Sequence, residues 1–353
     1  MNSAAPTAEV RPARAGGLRT WAGYAVSLAL LALLIRSLDP AALAAVLGEA
    51  DFRLLPLAVG LYFVGLLVRS VRWSLLLPPG AVTVQTLFRA LAIGFTINNL
   101  LPARLGEVAR AYLLNRWAGV AYGITLASVV VERVLDGLTL VVLLLVAIAL
   151  VPSPPGYLPG IGATVGAAFL GISLVLALAA WQPRLLDRAT RTVAQRLPVR
   201  AGDLLVRVAA SFVEGLRGLR GPGVLLRLAA LSLLGWLAEL SLFYVIMVCF
   251  PFAATFPLAV LIGTAANFAT LIPSSPGYVG TFDSVLVKVL SDTTAVPNEL
   301  AAAYALVVHA ALFLPVTLLG AFLLWRADLS FAQVAQLHRP TPEAKPAHSA
   351  KAS

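Results

Sequence analysis

The chain has 353 residues, 60% of them hydrophobic and only 12% charged, with a formal net charge of +10. Soluble domains carry about 25% charged residues, so this composition excludes a soluble enzyme, a disordered chain and a disulfide scaffold. Long apolar runs and a mean hydropathy of +0.90 leave an all-α polytopic membrane protein, because a barrel reads as short alternating strands.

Residues 1–19 are polar, basic and rich in Pro and Ala, and read as a disordered cytoplasmic segment. A membrane domain is expected over 20–326, with full spans at 21–35, 54–68, 124–151, 161–181, 224–250 and 301–325. Arg69, Arg72 and Trp73 close the second span and read as a basic, aromatic interface anchor. The polar stretch 182–222 holds eight arginines, with Leu185, Leu186, Ala189, Val193 and Leu197 near helical spacing. It reads as a cytoplasmic loop carrying an interfacial helix on the anionic leaflet. Residues 327–353 read as a disordered cytoplasmic tail.

Two segments, 82–116 and 252–299, do not fit simple spans, since each is two apolar halves around a Pro/Gly break. Six spans place every basic stretch and both termini in the cytoplasm only if each odd segment returns to the face it entered. Two re-entrant helical hairpins from opposite faces, an inverted repeat, are therefore expected, with full crossings as the alternative. The first break, N-N-L-L-P-A-R-L-G-E, contains Asn99, Pro102, Arg104, Gly106 and Glu107. The second, L-I-P-S-S-P-G-Y-V-G-T-F-D, contains Pro273, Pro276, Gly277, Gly280 and Asp283.

Backbone that leaves the helix inside a bilayer must be satisfied by protein or by water in a cavity. A short helix follows Gly106 and another follows Gly280, and helix amino termini attract anions. Both glycines are thus candidate headgroup-binding positions, with Arg104 and Arg110 flanking the first. Capping of the two helices by Glu107 and Thr281 is the structural alternative, and it is compatible with anion binding.

The sharpest charge cluster is V-V-V-E-R-V-L-D-G, where Glu132 and Asp136 lie one turn apart beside Arg133. Each intramembrane charge costs roughly 2.5–3.5 kcal/mol, so Arg104, Glu107, Arg110, Glu132, Arg133 and Asp136 cannot all face lipid. A paired network around a hydrated cavity is expected. It either holds helices together or lets the arginines grip a headgroup while the carboxylates balance charge or carry protons. Glu239 and His309 are possible lining residues of the same pathway. One cysteine and three histidines make a metal site improbable, and no metal or cofactor is expected. Neither a phosphate-binding G-x-x-x-x-G-K-[ST] loop nor a G-x-S-x-G or H-E-x-x-H motif occurs. Basic residues between apolar runs point to anionic lipid, not nucleic acid.

Across residues 21–325 the ordered set N-N-L-L-P-A-R-L-G-E-V-A-R, V-E-R-V-L-D-G and I-P-S-S-P-G-Y-V-G resembles the flippase-like membrane domain of the lysylphosphatidylglycerol synthase family. The resemblance implies a lipid-translocating domain. Its motif positions here are Asn99, Pro102, Arg104, Gly106, Glu107 and Arg110, then Glu132, Arg133 and Asp136, then Pro273, Pro276, Gly277 and Gly280. Two departures bear on headgroup specificity: Asp283 stands where a glutamate is common, and His309 where an arginine is. The family's soluble aminoacyl-transferring domain has no counterpart in the 27 residues after Arg326, so no aminoacylation is expected.

The expected function is a flippase or scramblase in the cell's inner membrane, moving an anionic phospholipid or a polyprenyl-phosphate-linked lipid. An enzyme or accessory subunit of lipid-linked glycan assembly, and a lipid-binding scaffold without transport, are the alternatives. The oligomeric state is left open.

Overall fold

The structure is a computed structural model that describes residues 38–101, 105–199, 222–272 and 275–327, with isolated positions within 29–36 and 202–211. Segment 1–19, most of the first expected span, residues 328–353, and the candidates Pro102, Arg104 and Pro273 lie outside the described residues.

Regular structure among the described residues is wholly helical. Asp39 starts α1 (Pro40–Glu49) by accepting the Ala41 N–H at 2.9 Å. There follow α2 (Leu55–Ser74), α3 (Val84–Leu100), α4 (Leu105–Ala118), α5 (Tyr122–Leu150), α6 (Leu158–Trp181) and α7 (Pro183–Ala194). The chain closes with α8 (Pro222–Val248), α9 (Phe256–Ala269), α10 (Thr281–Thr294) and α11 (Asn298–Arg326). Among the described residues, five helices are long and apolar enough to cross a bilayer, at Phe52–Ser74, Tyr122–Leu150, Leu158–Val175, Gly223–Val248 and Asn298–Arg326. They correspond to the last five expected spans. The protein is a multi-pass membrane protein.

Helices in lipid approach one another chiefly where side chains are small. A Cβ on Gly65 of α2 would stand 3.1 Å from the Gly235 carbonyl oxygen of α8. A Cβ on Gly320 of α11 would strike Thr96 Oγ1 and the Ala92 carbonyl of α3. Thr96 Oγ1 donates within reach of Ala92 O at 2.9 Å and Val316 O at 3.0 Å, which ties the same two helices. Gly137 of α5 receives the Phe169 ring of α6.

The two odd segments are each helix, break, helix. In the first, α3 and α4 run back along each other: a Cβ on Gly94 would meet Arg110, and one on Gly106 would meet the Gly94 carbonyl. Asn98 holds the turn by accepting the Gly106 N–H at 2.7 Å and donating to Glu107 Oε1 at 3.4 Å. The second break uses left-handed backbone at Gly277 (φ +70°) and Gly280 (φ +88°), where a side chain would be strained. Gly277 lies under the Asn99 carbonyl oxygen, 3.5 Å from where its Cβ would stand, so the two breaks touch.

One end of the bundle gathers four connections. Asp51 N–H donates to Cys249 O at 3.0 Å, and Tyr157 donates to Asp292 Oδ2 at 2.9 Å, where Lys288 also binds at 2.9 Å. Burial pushes the Tyr157 phenol up, helped by the Asp292 carboxylate. Burial opposes ionisation of Asp292, yet the hydrogen bonds from Lys288 and Tyr157 prevail and hold its carboxyl below the usual range. The far ends of α3 and α4 are joined by Arg89 over the Trp117 ring at 5.3 Å.

Candidate functional site

The helices enclose a cavity of about 560 Å³ with two kinds of wall. Arg69, Asn98, Asn99, Glu107, Arg133, Asp136, Glu239 and Asn267 form the polar side. Leu140, Val165, Phe169 and Ile172 of α5 and α6, with Phe282, Phe313 and Val316 of α10 and α11, form an apolar side.

The polar wall is built on α5. One helical turn separates Glu132 from Asp136, so both carboxylates leave the same face. Glu132 accepts the fork of Arg110 at 3.0 and 2.7 Å and Arg133 Nη2 at 2.7 Å. Asp136 Oδ1 accepts Arg72 Nη1 at 2.6 Å and the Trp236 indole N–H at 3.1 Å, and Arg133 stands 3.6 Å from Oδ2. Arg72 also donates to Ser232 Oγ at 2.8 Å. Arg69 pairs with Glu239 at 2.7 Å and stacks on Trp236 at 4.3 Å. Arg110 stacks on Trp73 at 3.9 Å, and the Trp73 indole donates to Ser128 at 2.9 Å.

Four arginines (69, 72, 110, 133) thus pair with three carboxylates (132, 136, 239), while a fourth carboxylate, Glu107, accepts from the Asn98 amide. Unpaired at mid-membrane, eight charges would cost roughly 20–28 kcal/mol, more than the 5–15 kcal/mol that keeps a protein folded. Pairing is therefore a condition of folding. Arg72, Glu132, Arg110 and Asp136 are all at most 4% exposed, whereas the Arg133 side chain is 37% exposed. Among the described residues, Arg133 Nε, Glu107 Oε2 and Asp136 Oδ2 are buried atoms without a hydrogen-bond partner, and all three residues line the cavity.

The sequence-based candidates divide accordingly. Glu107, Arg133, Asp136, Glu239 and Asn99 line the cavity, with Asn99 also donating to Thr317 Oγ1 at 2.8 Å. Arg110, expected to hold a headgroup, is instead absorbed by Glu132 and Trp73 and does not line the cavity. The amide N–H groups of Gly106 and Gly280, also expected to meet a headgroup, are taken by Asn98 Oδ1 and by Asp283 Oδ2 at 2.9 Å. Both helix starts are thus capped from within the protein. Pro276 and Gly277 shape the second break. His309 lies behind Phe282 and Phe313 of the cavity wall and pairs with Asp283 at 2.7 Å.

Arg69, Arg72 and Trp73 are not an interface anchor. Arg72 and Trp73 are fully buried, and Arg69 is 7% exposed. The signal was present in the sequence: after Ser74 the apolar run resumes with Leu75, Leu76 and Leu77. On α8, the partner helix, Ser232, Trp236 and Glu239 follow at four and three and so share the face that meets Arg69 and Arg72.

The model of the lysylphosphatidylglycerol synthase TM region matches residues 20–320. The chain belongs to this family. A glycosyltransferase AglD of Haloferax volcanii is 27% identical to this family member over 333 residues, or 85% of the chain. The match spans about half, 53%, of that relative's length. Two UPF0104 membrane proteins of Methanothermobacter thermautotrophicus are 28% and 27% identical, covering 84% and 79% of the chain and 90% and 87% of their own lengths. The synthase-family match runs from before α1 into α11, so the whole cavity falls inside the shared domain.

Proposed function

We propose that the chain translocates a phosphate-bearing lipid across the cell's inner membrane, its headgroup passing through the cavity while the tails stay in the bilayer. One observation carries this reading: a part-exposed arginine, Arg133, lines a cavity together with Glu107 and Asp136, opposite an aromatic and aliphatic wall inside a membrane domain. Arg133 then grips the phosphate, and Glu107 and Asp136 accept hydrogen bonds from the neighbouring headgroup atoms. Both broken segments are re-entrant in this proposal, the first from the cytoplasm and the second from outside, with both chain termini cytoplasmic. The contacts of Asp51 with Cys249 and of Tyr157 with Asp292 are consistent with that arrangement, since it puts all four on the outer side.

Single cysteines in a Cys249→Ala background test the topology. Cysteines at 80 and 119 are expected to react with an impermeant thiol reagent from the inside, and cysteines at 254 and 296 from the outside. A pair that splits between the two faces would make its segment a full crossing.

Transport is tested in liposomes holding the purified full chain and an anionic phospholipid labelled in one leaflet. Charge-assisted hydrogen bonds contribute about 1.5–3 kcal/mol, so Arg133→Gln is expected to slow lipid movement about tenfold or more. Arg191→Gln, in an exposed ion pair on α7, should leave the rate unchanged. Movement no faster than in empty liposomes would replace translocation with a binding role.

The glycosyltransferase name of one relative favours a second reading, a membrane unit of lipid-linked glycan assembly. Conversion of a polyprenyl-phosphate lipid and a sugar donor into a new product by the reconstituted chain would decide for it.

A further inference from the structure

The transport reading leaves one part-buried titratable pair unused. His309 of α11 and Asp283 of α10 have side chains 14% and 13% exposed and meet at 2.7 Å. Phe282 packs edge-on against the imidazole at 5.5 Å and Phe313 lies over it at 4.3 Å. Both phenylalanines are also cavity wall. An ionised carboxylate only accepts hydrogen bonds, so Nδ1 carries its hydrogen in either state and a proton joins or leaves Nε2. With neutral imidazole the pair holds an uncompensated carboxylate among aromatic rings; with imidazolium it is a close ion pair.

Asp283 has a second duty. Its other oxygen accepts the Gly280 N–H at 2.9 Å, at the left-handed residue that ends the second break. One side chain therefore joins the imidazole, the start of α10 and, through Phe282 beside it, the cavity wall. Helices α1, α2, α3, α8 and α10 pack on α11. Their titratable or charged groups are Glu49 on α1, Tyr62, Arg69 and Arg72 on α2, Arg89 on α3, Arg227, Glu239 and Tyr244 on α8, and Asp283, Lys288 and Asp292 on α10. Glu299, Tyr304 and Arg326 share α11 itself. Of these, Asp283 contacts His309, while Arg69 and Glu239 close on each other and Lys288 on Asp292.

We propose that Asp283 and His309 form a proton-binding site that sets the position of the second break, so that lipid movement through the cavity depends on pH. Proton binding stands by itself; its link to lipid movement rests on the translocation reading. The imidazole takes one proton from water on Nε2 and returns it to water on release, and no other bond changes.

Histidine-labelled full-length protein in lipid nanodiscs tests the site without reference to transport. One imidazole NMR signal, assigned by its loss in His309→Gln, is expected to change reversibly with pH. Asp283→Asn keeps an oxygen to cap Gly280 but removes the charge that favours imidazolium, so it should move that change to lower pH. An imidazole signal that does not change with pH, or one whose change is unmoved in Asp283→Asn, overturns the site. In liposomes the rate of lipid movement should change across the wild-type midpoint and be flat with pH in His309→Gln. A titrating His309 beside a flat wild-type rate overturns the coupling. Absence of any lipid movement overturns translocation and the coupling together, and the NMR result still decides proton binding.

Discussion

Asp136→Leu is expected to cost about 3–5 kcal/mol of folding stability, because it strands a fully buried arginine. Arg72 has Asp136 as its carboxylate partner at 2.6 Å, and beyond it only Ser232 Oγ. The Trp236 indole would lose its acceptor as well. Arg72→Met should be comparably damaging, since it leaves the carboxylate with Arg133 at 3.6 Å and the indole as partners. The double variant Arg72→Met/Asp136→Leu removes both charges and replaces them with apolar volume, so most of the loss should be regained. Apparent Tm and recovery of monodisperse protein after heating in detergent measure all three. A double variant as unstable as the two single losses added together would show that the pair is not the coupled unit described above.

Gly106→Ala is expected to separate α3 from α4. The added methyl would land on the Gly94 carbonyl oxygen and stand 2.6 Å from Asn98 Oδ1. Overpacking costs about 1–3 kcal/mol where side chains can adjust, and here backbone must move, which places the loss at or above the upper end. Gly94→Ala should be milder, because its methyl meets Cγ and Cδ of Arg110 at 2.8 and 2.9 Å. That flexible stem can shift, at the expense of its fork onto Glu132. Gly60→Ala is the control, since nothing lies within 4 Å of its Cβ. Hydrogen exchange should accelerate across 84–118 in Gly106→Ala and stay unchanged in Gly60→Ala. Equal behaviour of the two variants would refute the close crossing.

Hydropathy and punctuation alone located five long helices and both breaks, because lipid imposes a length and a composition on any span. The V-E-R-V-L-D run was equally legible as a charge cluster that had to be paired. The pairing partners were not. Arg69, Arg72 and Trp73 stand where basic and aromatic residues usually mark a membrane surface, and only the leucines after them say otherwise. Arg110 and Glu132 were both recognised, yet their mutual fork depends on how α4 crosses α5, which no local pattern encodes. Helix starts at Gly106 and Gly280 were readable, but which acceptor takes each N–H is a matter of rotamers. Asn98, eight residues before Gly106, supplied an acceptor that no capping motif would place there.

The separation of the paired charges along the chain bears on how the protein is made. Arg72 meets Asp136 after 64 further residues, and Arg69 meets Glu239 only after 170. When α2 leaves the ribosome it carries two arginines whose partners have not been synthesised, so its release into lipid is unfavourable by several kcal/mol. Full insertion of α2 is therefore expected to wait for α5 and then α8. A chain stalled before α8 would leave Arg69 without its carboxylate.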